Sequence, residues 1–144
     1  MNFTWSFHYQ FAAEFDRYPR DQQDKILDFL ETYQEHGLAD FSKFPGKVTP
    51  SWSGLYEFDP RYRYTRDNAL WHYHIGLPQY TQKHKYQTSD WVLHFQWKNR
   101  GNHIDVADVC YHYTSNGSFH LPAPETLISI DPLSVATPAS AESS

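Results

Sequence analysis

His72 and His74 stand two residues apart in a run of strand-forming residues, Trp71-His72-Tyr73-His74-Ile75. His94 lies in a second such run, Trp91-Val92-Leu93-His94-Phe95. Side chains alternate across a strand, so His72 and His74 leave one face of the first strand, and His94 leaves the second on the side opposite Leu93 and Phe95. An imidazole titrates near about pH 6.5 and can give or take a proton at neutral pH. A group of them on one face suits general acid–base chemistry on a phosphodiester. The same His-x-His spacing also suits a metal ion, because both rings point one way. Pro78 and Gln79, which follow, supply no carboxylate to complete such a set, so no metal or other cofactor is expected. A third reading is a solvated polar face on which histidine is one polar residue among others. The end of the last strand, Cys110-Tyr111-His112-Tyr113, can add His112 or Tyr113 to the group. Alternation there is not clean, and the register stays open.

Several elements must position this face. Residues 3–9 alternate aromatic and polar side chains, the period of a half-buried strand. Phe11, Phe15 and Tyr18 recur at helical spacing until Pro19. A second helix runs from about Asp21 to His36, with Ile26, Leu27, Leu30 and Tyr33 as its apolar stripe and Gly37 as its stop. Residues 38–54 read as a loop, Leu55–Phe58 as a short strand and Asp59–Asn68 as a polar, arginine-rich connection. Leu70–Gly76, Trp91–Trp97 and Ile104–Tyr113 read as strands, with a polar loop over residues 78–90 and a turn at residues 99–102. This order predicts an α+β fold: an antiparallel sheet of about four strands packed on two N-terminal helices. Trp71, Tyr73, Ile75, Leu93 and Phe95 face the helices, and the histidines face away. Residues 1–120 form the domain. Residues 121–144, rich in Pro, Ala and Ser, read as a largely disordered tail.

An aromatic content of 18% allows a packed core despite a mean hydropathy of -0.73. The lone cysteine, Cys110, excludes an internal disulfide and suits a reducing compartment. No apolar run approaches the roughly 20 residues of a membrane span, and the N-terminus has no signal-peptide pattern. The expectation is a cytoplasmic protein with no membrane partner. The net charge is -5, yet it is uneven: -5 over residues 1–40, +5 over 41–100, -2 over 101–120 and -3 beyond. A basic middle can carry a local field opposite in sign to that of the whole molecule.

The segment from Asp28 to Leu38 resembles the second helix and glycine stop of YafO-type toxins, in the RelE/ParE toxin superfamily. Phe44-Pro45-Gly46-Lys47 follows where those proteins have Phe-Gly-Arg-Asp. Trp71–Leu77 is similar to their His-Ile-His-Leu strand, and Thr88–Phe95 to their Arg-Thr-Asn-Asp segment with the strand after it. Cys110-Tyr111-His112-Tyr113 resembles the Cys-Arg-Tyr-His-Tyr end of YoeB, a relative. The resemblance spans about residues 3–120 and rests on the order of the pieces.

This resemblance implies a toxin of a toxin–antitoxin system. Such a toxin is a ribosome-dependent mRNA endonuclease that inhibits translation, needs no metal and is neutralised by a protein antitoxin. It implies His112 as acid or base and Tyr113 as the group that orients the phosphate or stacks on a base. His72 and His74 would line the floor of the catalytic site. Lys83, His84, Lys85, Arg63, Arg66, Gln87 and His94 would contact RNA and its phosphates. Gln87 stands where the YafO-like pattern has arginine, and Thr49 falls near the position of the YoeB glutamate base. Two other readings remain: a non-catalytic ParE-like toxin, and an antitoxin- or immunity-like binding module, which the acidic net charge would suit.

Overall fold

The computed structural model describes residues 2–77, 79–83, 86–111 and 120–128; residues 81–83, 86–88 and 111 are described by their backbone alone. The elements run β1 (Thr4–Phe7), α1 (Tyr9–Phe15), α2 (Arg20–His36), β2 (Val48–Pro50), α3 (Pro60–Asp67), β3 (Leu70–His74), β4 (Thr81–Lys83), β5 (Tyr86–Thr88), β6 (Trp91–Gln96) and β7 (His103–Tyr111). Single 3-10 turns lie at Phe41–Lys43, Lys98–Arg100 and Pro124–Leu127. The fold is α+β. β4 and β5 form a separate hairpin, and the other five strands form one sheet in the order β1-β7-β6-β3-β2. The sheet is mixed, unlike the antiparallel sheet of about four strands that the sequence predicts. β1 joins at the edge parallel to β7, with Thr4 opposite His103 and Phe7 opposite Val106. The two helices after β1 carry the chain away from it, so β1 need not pair as a hairpin with its successor.

Two further expectations change. Leu55–Phe58 is not a strand. The short strand is β2, inside the expected loop, where Pro50 is tolerated because β2 is an edge strand paired only with β3. The arginine-rich connection is a helix, α3. The Asp59 side chain accepts from the Arg61 backbone N–H at 2.9 Å, and Pro60 opens the first turn. Only Thr65 of this helix is buried, so it has almost no apolar stripe to signal it.

The core lies between α1, α2 and one face of the sheet. Phe11, Ile26, Phe29, Leu30 and Tyr33 pack against Trp71, Tyr73, Ile75, Leu93, Phe95, Ile104, Val106 and Val109. The Phe29 ring stacks on Tyr73 with centroids 4.7 Å apart. Phe29 takes the inward place expected for Leu27, which is exposed. Burying each large apolar side chain contributes about 1.5–3 kcal/mol, which makes this layer the main stabilising term.

The opposite sheet face is not open to solvent. His72, His74 and His94 are only 5%, 7% and 0% exposed. α3 packs against β3, and residues 120–128 pack on α1 and β7. Tyr64 Oη donates to the Pro122 carbonyl at 2.6 Å, and the Tyr9 N–H donates to the Ile128 carbonyl at 2.8 Å. Residues 121–128, placed by sequence in the disordered tail, therefore complete the domain.

Candidate acid–base site on the covered sheet face

β3 and β6 pair so that His72 lies opposite His94. Their ring centroids are 6.0 Å apart. His74 lies 5.8 Å from His72, and His120 lies 6.4 Å from His94. The result is a row of four imidazoles. Two of them are anchored: His72 Nδ1 hydrogen-bonds the Ser51 hydroxyl at 3.0 Å, and His74 Nδ1 lies 2.9 Å from the Ser89 carbonyl oxygen and 3.2 Å from the Ser89 nitrogen. The Ser89 hydroxyl accepts from the Gly76 N–H and donates to the Trp91 carbonyl, which ties the end of β3 to the start of β6. Burial holds the His74 imidazole below its ordinary pKa; the hydrogen bond to the Ser89 carbonyl opposes that shift and Lys47 adds to it.

β7 brings a carboxyl and a thiol to the same face. His94 pairs with Asp108 but Phe95 pairs with Val106, so Ala107 is an extra residue in β7. This bulge is why the last strand does not alternate cleanly in sequence. Before it, Ile104 and Val106 face the helices. After it Val109 does, and Asp108 and Cys110 join His94 and Val92.

The metal-capable atoms of Asp108, Cys110 and His120 lie within 4.8 Å of one another, and all three residues are half-buried. Burial raises the Asp108 carboxyl to about 6; the Val109 N–H and His120 hold it down, and Glu14 pushes it up. Burial and the neighbouring Asp108 raise the Cys110 thiol. A protonated thiol is a weak nucleophile, so acid–base work at this face falls to Asp108 and His120. The same three side chains have the donor types of a zinc site.

The structure gathers His72, His74 and His94 on one face, as their spacing predicts, and adds Asp108, Cys110 and His120. The bulge hides the alignment of Asp108 with His94, and His120 lies just past the last strand, where no periodicity marks it. Arg63 and Arg66 sit exposed on α3. Lys83 and Gln87 fall on the β4–β5 hairpin, where Lys83 pairs with Tyr86 and Gln82 with Gln87. His84, Lys85, His112 and Tyr113 lie outside the described residues.

A second polar cluster joins β1 to β7. Ser6 Oγ donates to the Asp105 carboxylate at 2.6 Å, and His103 Nε2 lies 3.2 Å from Ser6 Oγ and 3.1 Å from Asp105. Serine and aspartate share the same ring nitrogen, while Nδ1 meets the Thr4 hydroxyl at 2.8 Å. A nucleophilic relay needs them on opposite nitrogens, so this set ties the edge strand in place and does not activate Ser6. Burial alone would raise the Asp105 carboxyl, but the Ser6 and His103 hydrogen bonds hold it below the usual range. Set against protein-family models, curated proteins and solved structures, the chain matches none.

Proposed function

We propose that this protein is a RelE/ParE-like toxin: a metal-independent endoribonuclease that inhibits translation in the cytoplasm by cleaving mRNA on the ribosome and is neutralised by a protein antitoxin. One observation carries the reading. A row of imidazoles on the sheet face away from α1 and α2 ends at His120, within 4.8 Å of the Asp108 carboxyl, which burial raises to about 6. The order of strand, helix pair and antiparallel strands agrees with the resemblance.

In the reaction, a base takes the ribose 2′-hydroxyl proton and the 2′-oxygen attacks phosphorus. The bond to the 5′-oxygen breaks, leaving a 2′,3′-cyclic phosphate. An acid returns a proton to the departing 5′-oxygen. Asp108 and His120 are the accessible members for these transfers. His112 joins them as acid or base, and Tyr113 orients the phosphate. The buried His72, His74 and His94 hold the row in register. Arg63, Arg66, Lys83, His84, Lys85 and Gln87 contact the RNA backbone.

Expression of the chain should arrest growth and cleave translated mRNA, with cleavage persisting in a chelator. Asp108→Asn and His112→Ala should each relieve both effects while the protein stays folded by circular dichroism. Arrest that survives both substitutions would rule the nuclease out.

A specific observation favours a second, non-catalytic reading as a protein-binding module. Tyr56 and Phe58 are 73% and 84% exposed, and their rings stack 5.4 Å apart at an interplanar angle of 2°. Exposed rigid aromatics of this kind anchor protein interfaces.

A further inference from the structure

A cleft of about 390 Å³ opens at the end of the sheet where β3 begins and β6 ends; Trp52, Arg66, Trp71, Trp97 and Arg100 are among its lining residues. The Trp97 N–H donates to the Ala69 carbonyl at 2.9 Å, so the turn before β3 is stitched to the turn after β6. The Arg100 guanidinium lies 5.1 Å from the Trp71 ring centroid and 5.4 Å from that of Trp97. The Arg66 guanidinium lies 5.2 Å from the Trp52 ring.

Three features set this cleft apart. The first is charge. Arg66, Lys98 and Arg100 line it against a single carboxylate, Asp67. Among the described residues none of these cations is in an ion pair, whereas Arg20 and Arg61 are paired with Asp24 and Asp59. The second is backbone strain. Three non-glycine residues are found at positive φ among the described residues: Ala69 at 49°, Asn99 at 56° and Arg100 at 48°. All three line this cleft. Left-handed backbone is unfavourable for Ala and Arg, and strain of this kind collects at functional sites. The third is a half-buried indole, Trp52, beside the cations. Arg100 capping two buried tryptophans would account for its own position. It would not account for the strained backbone on both turns, or for Arg66 and Lys98.

We propose that this cleft binds single-stranded RNA, with a phosphate held by Arg66 and Arg100 and a base stacked on Trp52. Paired guanidiniums match phosphate oxygens, and an indole face accepts any base. The choice of RNA among phosphate-bearing aromatics rests on the proposed function, which this cleft extends. Trp71 and His72 leave opposite faces of β3, so the cleft is separate from the imidazole row. A strand engaging both passes around the end of the sheet.

The full chain, carrying Asp108→Asn to prevent cleavage, is titrated with hexa-adenylate, and tryptophan fluorescence and calorimetry are followed. Binding should quench the fluorescence and weaken with salt. Arg66→Gln with Arg100→Gln should lower affinity at least about tenfold and reduce the salt slope, and Trp52→Ala should lower affinity at least about fivefold. Absence of binding, or binding unchanged by these substitutions, would overturn the proposal. Tight capture of an oligoglutamate peptide without hexa-adenylate binding would also overturn it, by assigning the cleft to an acidic protein. RNA binding in the cleft by a chain that neither arrests growth nor cleaves mRNA would remove the nuclease reading and leave the cleft. Cleavage by a chain whose cleft variants bind and cut normally would do the reverse.

Discussion

His94 on β6 lies directly opposite Asp108 on β7, and one bulged residue, Ala107, puts them on the same face of the sheet. Without the bulge, Asp108 would turn toward the apolar layer of α1 and α2, and Val109 would turn out of it. The bulge thus resolves a conflict between the strand's hydrophobic pattern and the placement of a carboxyl beside imidazoles.

That placement has a measurable energetic consequence. An aspartate in the unfolded chain ionises near its ordinary value of 3.8, whereas Asp108 in the fold ionises near about 6, mainly because it is buried. Between these values the folded state holds its proton longer, so stability falls as pH rises from about 4 to about 6 and is flat above. The full shift corresponds to at most about 3 kcal/mol, less what residual solvent exposure screens. Asp108→Asn should leave stability unchanged below pH ~4 and raise it above pH ~6. Denaturant melts at both pH values would check this. A variant equally or less stable at neutral pH would mean that the carboxylate is compensated by a partner. A gain in stability with a loss of RNA cleavage would mark Asp108 as a functional group kept at the expense of stability.

Much of this face was legible in sequence. Strict alternation in Trp71–Ile75 and Trp91–Phe95 put His72, His74 and His94 together, because both strands are regular and β3 pairs with β6 in simple register. The apolar layer followed from the same alternation. Alternation says which side a residue takes but not what lies over that side. α3 packs against β3, and His120 lies beside His94. α3 has a single buried residue and so no hydrophobic period, and the C-terminal cover is held by two bonds to its backbone carbonyls, from Tyr64 Oη and the Tyr9 N–H, which leave no periodic pattern in its own sequence. The Trp–Arg cleft was equally hidden. Trp71 reads by alternation as a core residue and Trp52 falls in an expected loop, and the left-handed backbone at Ala69 and Arg100 has no signature in residue type.

His74 should act on stability in the direction opposite to Asp108. Burial holds its folded pKa below the ordinary 6.5, so the unfolded chain takes up a proton first as pH falls. Its stability contribution is complete above about pH 6.5 and is lost below that value. Glutamine cannot titrate but keeps an acceptor for the Ser89 N–H. His74→Gln should therefore flatten the loss of stability that sets in below about pH 6.5. Chemical denaturation at and below that pH would test it. A loss as steep in the variant as in the parent would place the titrating group elsewhere.

Gly46 supports His74 from the neighbouring loop. A Cβ at this position would overlap the His74 carbonyl oxygen and lie 2.9 Å from the Tyr80 ring. The first obstacle is backbone in the sheet. The His74 N–H is held by the Lys47 carbonyl at 3.0 Å, so the strand cannot yield without breaking the bond that docks the loop. The Gly46 N–H also donates to Tyr73 Oη at 3.3 Å, and Tyr73 Oη meets Tyr80 Oη at 3.0 Å. Gly46→Ala should therefore destabilise the fold by at least about 2 kcal/mol. It should also shift the His74 ring resonances in two-dimensional NMR. Gly54→Ala is the control. Nothing lies within 4 Å of the added methyl there. Its positive φ of 83° still disfavours alanine, by about 1 kcal/mol. A loss from Gly46→Ala no larger than that from Gly54→Ala would show that the loop yields to the added methyl and does not fix the end of β3.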